Sequence, residues 1–171
     1  MKRLLLTALL AAFALPAQAQ TVILVRHAEK ADQSADPVLS EAGQRRAAAL
    51  ASAVSDAGLT HVLVTPLQRT RLTSAVAAQA HGLEPEAIAL DGGTQAHVDR
   101  VAARVRALPE DAVVLVVGHS NTVPLIAQAL GQTGAGEMQD CEYDRLTIIT
   151  VEADGASPTV VGRYGEASLC A

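Results

Sequence analysis

Residues 21–30 read Thr-Val-Ile-Leu-Val-Arg-His-Ala-Glu-Lys, TVILVRHAEK. An unbroken apolar run ends abruptly at a cation beside an imidazole. Continuous rather than alternating apolar character predicts a strand covered on both faces, the condition of a central strand in a parallel sheet. His61–Thr65 (HVLVT), Ala87–Leu90 (AIAL), Ala112–Val117 (AVVLVV) and Leu146–Val151 (LTIITV) read the same way. Thr159–Tyr164 (TVVGRY) is the last expected strand, reached through a Gly/Ser/Pro turn at Asp154–Pro158.

Ala-rich segments fill the intervals. One helix is expected from Ser40 to about Ala57, ending at Gly58. Its capping box is loose, because Gln44 stands one residue late. Thr65-Pro66 sets a cap residue before Pro at a first helical position and opens a helix to about Ala80. Two more are expected over His97–Leu108 and Thr122–Leu130, stopped by Pro109 and Gly131. Strand and helix alternate until a final pair of strands. That order predicts an α/β fold: a three-layer α/β/α sandwich with a mainly parallel sheet.

The first residues carry a different signal. Lys2 and Arg3 precede an apolar stretch from Leu4 to Leu15, and Ala17-Gln18-Ala19 offers small residues for cleavage. This is the layout of a secretory signal peptide, and the run is shorter than the ~20 residues a spanning helix needs. The expected organisation is therefore a cleaved leader, 1–19, and one domain, 20–171, in a periplasmic or secreted protein. Without Lys2 and Arg3, the 13 basic residues become 11 against 18 acidic ones, a formal charge of −7. Such a balance argues against nucleic acid as a partner, and no later segment suggests stable membrane insertion. Beyond the leader there is no Phe or Trp, so the core must come from Ala, Val, Leu and Ile. In an exported chain, Cys141 and Cys170 read as a disulfide, with two free thiols as the alternative. Neither cysteine has the spacing of a metal or redox motif.

Ligands of open α/β sheets bind beyond the carboxyl ends of the strands. The first strand ends in Arg26-His27-Ala28-Glu29-Lys30, the second in Thr65-Pro66-Leu67-Gln68-Arg69, and the fourth in Gly118-His119-Ser120-Asn121. Two Arg and two His thus converge on one sheet edge. Guanidinium groups match the planar, multi-oxygen charge of a phosphate ester. One neutral imidazole can attack phosphorus while a second, protonated one binds the equatorial oxygens. The helix after His119 is expected to add backbone donors at its N-terminus. Arg71 competes with Arg69 as the relevant cation, with the spacing from Thr65-Pro66 favouring Arg69. His61, His81 and His97 lack matching context and read as structural or surface residues.

Four blocks, Leu24-Val25-Arg26-His27-Ala28-Glu29, Leu39-Ser40-Glu41-Ala42-Gly43, Thr65-Pro66-Leu67-Gln68-Arg69-Thr70 and Val117-Gly118-His119-Ser120, resemble the histidine phosphatase superfamily, branch 1. That family includes the cofactor-dependent phosphoglycerate mutases. The resemblance spans residues 21 to 125 and implies a phosphoglycerate mutase-like fold. It also implies a phosphohistidine intermediate on His27, a phosphate pocket of Arg26, Arg69 and His119, hydrolysis by water, and no metal or other cofactor. Many members take their proton donor from the region after the third strand. Here that region is Asp91-Gly92-Gly93-Thr94, without a Glu. Asp91 and Glu29 stand level as candidates, with Glu142 in a rim segment, Cys141–Asp144.

The expected activity is an exported phosphatase acting on a phosphorylated small molecule, an envelope component or a phosphorylated protein side chain. Three alternatives accompany it: a phosphate-ligand-binding protein without turnover, a phosphomutase, and a serine hydrolase. The last draws on Gly118-His119-Ser120-Asn121-Thr122, which has Thr where a nucleophile elbow needs its second Gly.

Overall fold

The computed structural model describes residues 19–134, 136–152 and 157–170. The leader, save its last residue, and most of the turn expected at Asp154–Pro158 lie outside them. The elements are β1 (Gln20–Arg26), α1 (Glu41–Ala53), β2 (His61–Val64), α2 (Gln68–Ala80), β3 (Glu86–Ala87), α3 (Gly93–Arg106), β4 (Val113–Gly118), α4 (Val123–Ala129), β5 (Arg145–Val151) and β6 (Thr159–Arg163). They form a mixed sheet in the order β3-β2-β4-β1-β5-β6. The first four strands of that order pair in parallel, and β5 and β6 are antiparallel.

Of the strands predicted to be buried on both faces, β1, β2 and β4 are so, whereas β5 is partly buried and β3 is exposed. Leu24, Val22, Val114 and Val116 pack with Val98, Val101 and Val105 of α3 and Ile126 of α4. Ile23, Val25, Leu115 and Val117 turn the other way, onto Leu50 of α1 and Ala77 and Ala78 of α2. This alternation of one strand's residues between two cores produces three layers. Small helix residues let α1 and α2 approach the sheet without aromatic filler.

Several boundaries differ from the sequence reading for local reasons. β3 is two exposed residues rather than Ala87–Leu90. It is an edge strand, and the Ala89 carbonyl leaves the ladder to accept from His97 Nδ1 at 3.0 Å and Arg100 Nη1 at 3.3 Å. α3 starts at Gly93, before His97, behind Gly92 at φ 79°, a left-handed conformation that suits glycine. α2 starts at Gln68 instead of Pro66, and its cap is not Thr65. Asp36, from the loop after β1, accepts the Gln68 N–H at 2.8 Å, so the cap arrives from a distant segment. Ser40 does cap α1, accepting the Gly43 N–H at 3.1 Å.

Gly43 explains why the second sequence block needs its glycine. A Cβ there would overlap the Glu29 carbonyl oxygen and lie 3.1 Å from the Glu29 nitrogen. The first turn of α1 is therefore seated directly on the backbone that follows His27. Gly43→Ala is expected to lower stability by about 1–3 kcal/mol, checked by urea unfolding. A midpoint unchanged from the parent would show that this contact yields without cost.

Candidate active site

The site is assembled by strand register. β1 and β4 pair so that Arg26 lies opposite Gly118, and the His27 N–H continues the ladder to the Gly118 carbonyl at 2.9 Å. The next residues along the two strands, His27 and His119, therefore stand side by side, their ring centroids 5.2 Å apart and edge to face. β2 flanks β4 on its other side and brings Thr65, whose Oγ1 is 3.2 Å from His119 Nε2. Thr70 braces Thr65 by accepting its N–H at 3.2 Å. Arg69 enters from the first turn of α2. That helix is tied to the loop after β1 by Thr73 Oγ1, which accepts the Ala28 N–H at 2.9 Å.

Arg26, His27, Lys30, Arg69, His119 and Asp140 share one cleft of about 450 Å³. His27 and His119 are buried, at 4% and 9% exposure. His27 Nδ1 lies 2.8 Å from the Ala28 carbonyl oxygen. A carbonyl only accepts, so Nδ1 carries the ring proton and Nε2 keeps its lone pair. Burial holds the His27 imidazole down to about 4. The Ala28 carbonyl opposes that shift, and the charges of Arg26, Arg69 and Lys30 add to it. Burial likewise pushes His119 down to about 3, helped by His27 and the two arginines. The sequence reading of a protonated His119 is thus not met in the free cleft, where both rings are neutral at pH 7.

The guanidinium groups are held without being neutralised. Arg26 Nη1 donates to the carbonyls of Gln139 at 3.0 Å, Asp140 at 2.8 Å and Glu142 at 3.4 Å. Its Cζ lies 4.1 Å from the Tyr143 ring centroid. Arg69 Nη1 reaches the Ala35 carbonyl at 3.4 Å, with Asp36 at 4.0 Å. Arg26 Nε and Arg69 Nε are buried with no partner. Two arginines lining one cleft, neither tightly paired with a carboxylate and each with a buried donor left unpartnered, favour an anion there.

The other expected residues fall elsewhere. Glu29 is bound to Arg46, its Oε1 2.7 Å from Nη2, and does not line the cleft. Asp91 pairs with Arg100 at 3.3 Å on the exposed start of α3. Glu142 is buried between Arg145 and Arg163. Among the described residues, the one carboxyl lining the cleft is Asp140, which the sequence reading missed. It accepts from Ser120 Oγ at 3.0 Å and lies 3.8 Å from Arg26 Nη2. The adjacent rim segment had been singled out, but an irregular loop offers no periodicity from which to aim a side chain. Ser120 donates to that carboxylate and is not bonded to an imidazole, so the serine-hydrolase reading lacks its base. α4 does not provide the expected anion-binding terminus either. The N–H groups of Thr122 and Val123 are turned back to the His119 carbonyl, and Pro124 has none. Cys141 and Cys170 are joined in a disulfide.

Comparison with known proteins follows this geometry. The family model for the histidine phosphatase superfamily (branch 1) matches residues 22–89. A solved structure of a candidate phosphohistidine phosphatase, SixA from Nakamurella multipartitia, is 26% identical. It has a TM-score of 0.63, with 87% of this chain and 98% of that one covered. The protein histidine phosphatase SixA in complex with tungstate is 20% identical over 84% of this chain and 96% of its own, with a TM-score of 0.63. A mycobacterial glucosyl-3-phosphoglycerate phosphatase is 14% identical over 86% of this chain and all of its own, with a TM-score of 0.64. These last two likenesses concern the fold. A sequence search of curated proteins finds no significant match.

The neutral state of the two rings can be measured without substrate. In ¹⁵N-histidine NMR, His27 and His119 are expected to keep the neutral-imidazole pattern down to about pH 5, well below the ordinary midpoint. His27 should show Nδ1 protonated and Nε2 bare. Midpoints near the value of a free histidine would contradict the burial argument.

Proposed function

Starting from the fact that this chain belongs to the histidine phosphatase superfamily, we propose that it hydrolyses phosphomonoesters, or a phosphorylated protein side chain, through a phosphohistidine on His27. One observation carries this reading: His27 presents an unprotonated Nε2 in a cleft whose two arginines each keep a buried, unpartnered Nε–H.

The chemistry follows from the groups present. Phosphoryl oxygens accept from Arg26 and Arg69, and the incoming anion favours the protonated form of His119. The His27 Nε2 lone pair forms a bond to phosphorus as the bond to the leaving oxygen or nitrogen breaks. Positive charge appearing on the ring is stabilised by Nδ1–H donating to the Ala28 carbonyl. A proton passes to the leaving atom, with Asp140 as the carboxyl in reach. Water then attacks phosphorus and gives up a proton, the N–P bond breaks, and its electron pair returns to Nε2. The flanking groove of about 540 Å³, lined by Pro124, Leu125 and Met138, continues from Ser120 and Asp140 and offers the leaving portion a seat. With Glu29 and Asp91 committed elsewhere, substrates whose leaving group needs little help from a protein acid fit best: aryl phosphates, and phosphohistidine, whose imidazole leaves neutral once its distal ring nitrogen is protonated.

The signal-peptide-like sequence of residues 1–19 and the disulfide support an extracytoplasmic location. No helix among the described residues is long and apolar enough to cross a membrane. The expected mature protein begins near Gln20 and is recovered from the periplasm or medium, which N-terminal sequencing checks.

Purified protein is expected to hydrolyse an aryl phosphate after exhaustive chelation, and His27→Ala to lose about 10³-fold or more in kcat. Undiminished turnover by that variant, or phosphate binding with no turnover by the parent, contradicts the reading. Asp140→Asn should cost about 10–100-fold on alkyl phosphates and little on aryl phosphates. Equal losses on both would remove Asp140 from the proton-transfer step.

A further inference from the structure

Arg26 has an unusual support. Among the described residues, every hydrogen bond of its side chain ends on residues 139–143, three of them on backbone carbonyls. That segment belongs to no helix or strand. An irregular loop has little of its own to keep three carbonyls aimed at one guanidinium, so its geometry depends on whatever ties it down. Cys141 sits between two of the three carbonyl-bearing residues, Asp140 and Glu142, and is bonded to Cys170 in the C-terminal tail. The tail is itself anchored. Arg46 donates to the Tyr164 and Glu166 carbonyls at 3.1 and 2.9 Å, and Ser168 Oγ accepts the N–H groups of Tyr143 at 2.8 Å and Asp144 at 3.1 Å.

We propose that the Cys141–Cys170 disulfide is a positioning element for Arg26, so that phosphate binding in this cleft depends on the cysteines being oxidised. The proposal rests on the phosphate-site reading of Arg26 given above. Three carbonyl dipoles occupy Nη1 without cancelling the charge, which stays available to an anion in the cleft that Arg26 lines. Release of Cys141 lets the loop relax, and the guanidinium loses its fixed direction. The bland reading, a disulfide that merely pins a chain end, predicts no special link to Arg26. Ser168 and the Glu142 ion pairs with Arg145 and Arg163 remain after reduction, and neither cysteine belongs to a hydrophobic core. The reduced chain is therefore expected to stay folded while its phosphate site loosens. A protein exported in the reduced state would gain its full phosphate affinity only on oxidation.

The test uses inorganic phosphate as the probe, titrated calorimetrically into the oxidised protein, the dithiothreitol-reduced protein and a Cys141→Ser, Cys170→Ser double variant. Dithiothreitol converts the S–S bond to two thiols and is itself oxidised to its cyclic disulfide. Reduction is expected to raise Kd about tenfold or more with far-UV circular dichroism unchanged, and reoxidation to restore it. The same reduction in an Arg26→Lys background should change Kd by less than about twofold, because the element it acts through is gone. Equal loss in both backgrounds, or no loss in the parent, overturns the proposal. Unfolding of the reduced chain would make the bond a general structural staple and also overturns the proposal. Tight phosphate binding without turnover by the oxidised parent would instead refute the hydrolase reading and leave the clasp standing.

Discussion

Parallel pairing of β1 with β4 in a single register is the constraint from which the rest follows. It sets Arg26 against Gly118, and the residue after each is a histidine. A slip of one residue would separate the two rings and turn every buried side chain of the strand to the wrong core. Both faces of these strands are buried, so the register is strongly specified by the hydrophobic pattern that also specifies the fold. Stability and site geometry are consequently one problem: the same Val, Ile and Leu contacts that hold three layers together hold His27 beside His119.

That placement also decides the electrostatics. Burial, reinforced by the two guanidinium groups, keeps the imidazoles neutral, since an added positive charge would be poorly solvated and repelled. The free cleft is accordingly an unsatisfied cationic site, with Arg26 Nε and Arg69 Nε lacking partners. On the proposed function, a phosphate in the cleft supplies the compensating charge. The supports are chosen consistently with this. Arg26 rests on carbonyls and an aromatic face, whereas Arg46, which lines no part of the cleft, is fully engaged by Glu29 and carbonyls. A carboxylate tightly bound to Arg26 would have competed with substrate.

The framework and the histidine pair were legible in the sequence because both depend on strand ends, and strand ends are marked by where an apolar run stops. Arg26, His27, Arg69 and His119 meet in one cleft as that reasoning expected. Features set by contacts between distant segments were not legible. Nothing local indicates that Asp36 caps α2, that Thr65 faces His119 instead of capping, or that Gly92 opens α3. Glu29 was a candidate through nearness to His27 in sequence and Asp91 through its place after the third strand, yet each is taken by an arginine from a neighbouring helix. Asp140 reaches the cleft from a loop without periodicity, and only the cysteine at its shoulder hinted that the segment was held in place.

The central claim is that His27 Nε2 itself receives the phosphoryl group. Mixing the protein with ³²P-labelled aryl phosphate, quenching in alkali within milliseconds and mapping the labelled peptide tests this most directly, because phosphohistidine survives base and is lost in acid. The account predicts transient, acid-labile label on the peptide containing His27 and none in His27→Ala. Label on Ser120, or steady turnover with no labelled protein at any time, would contradict it.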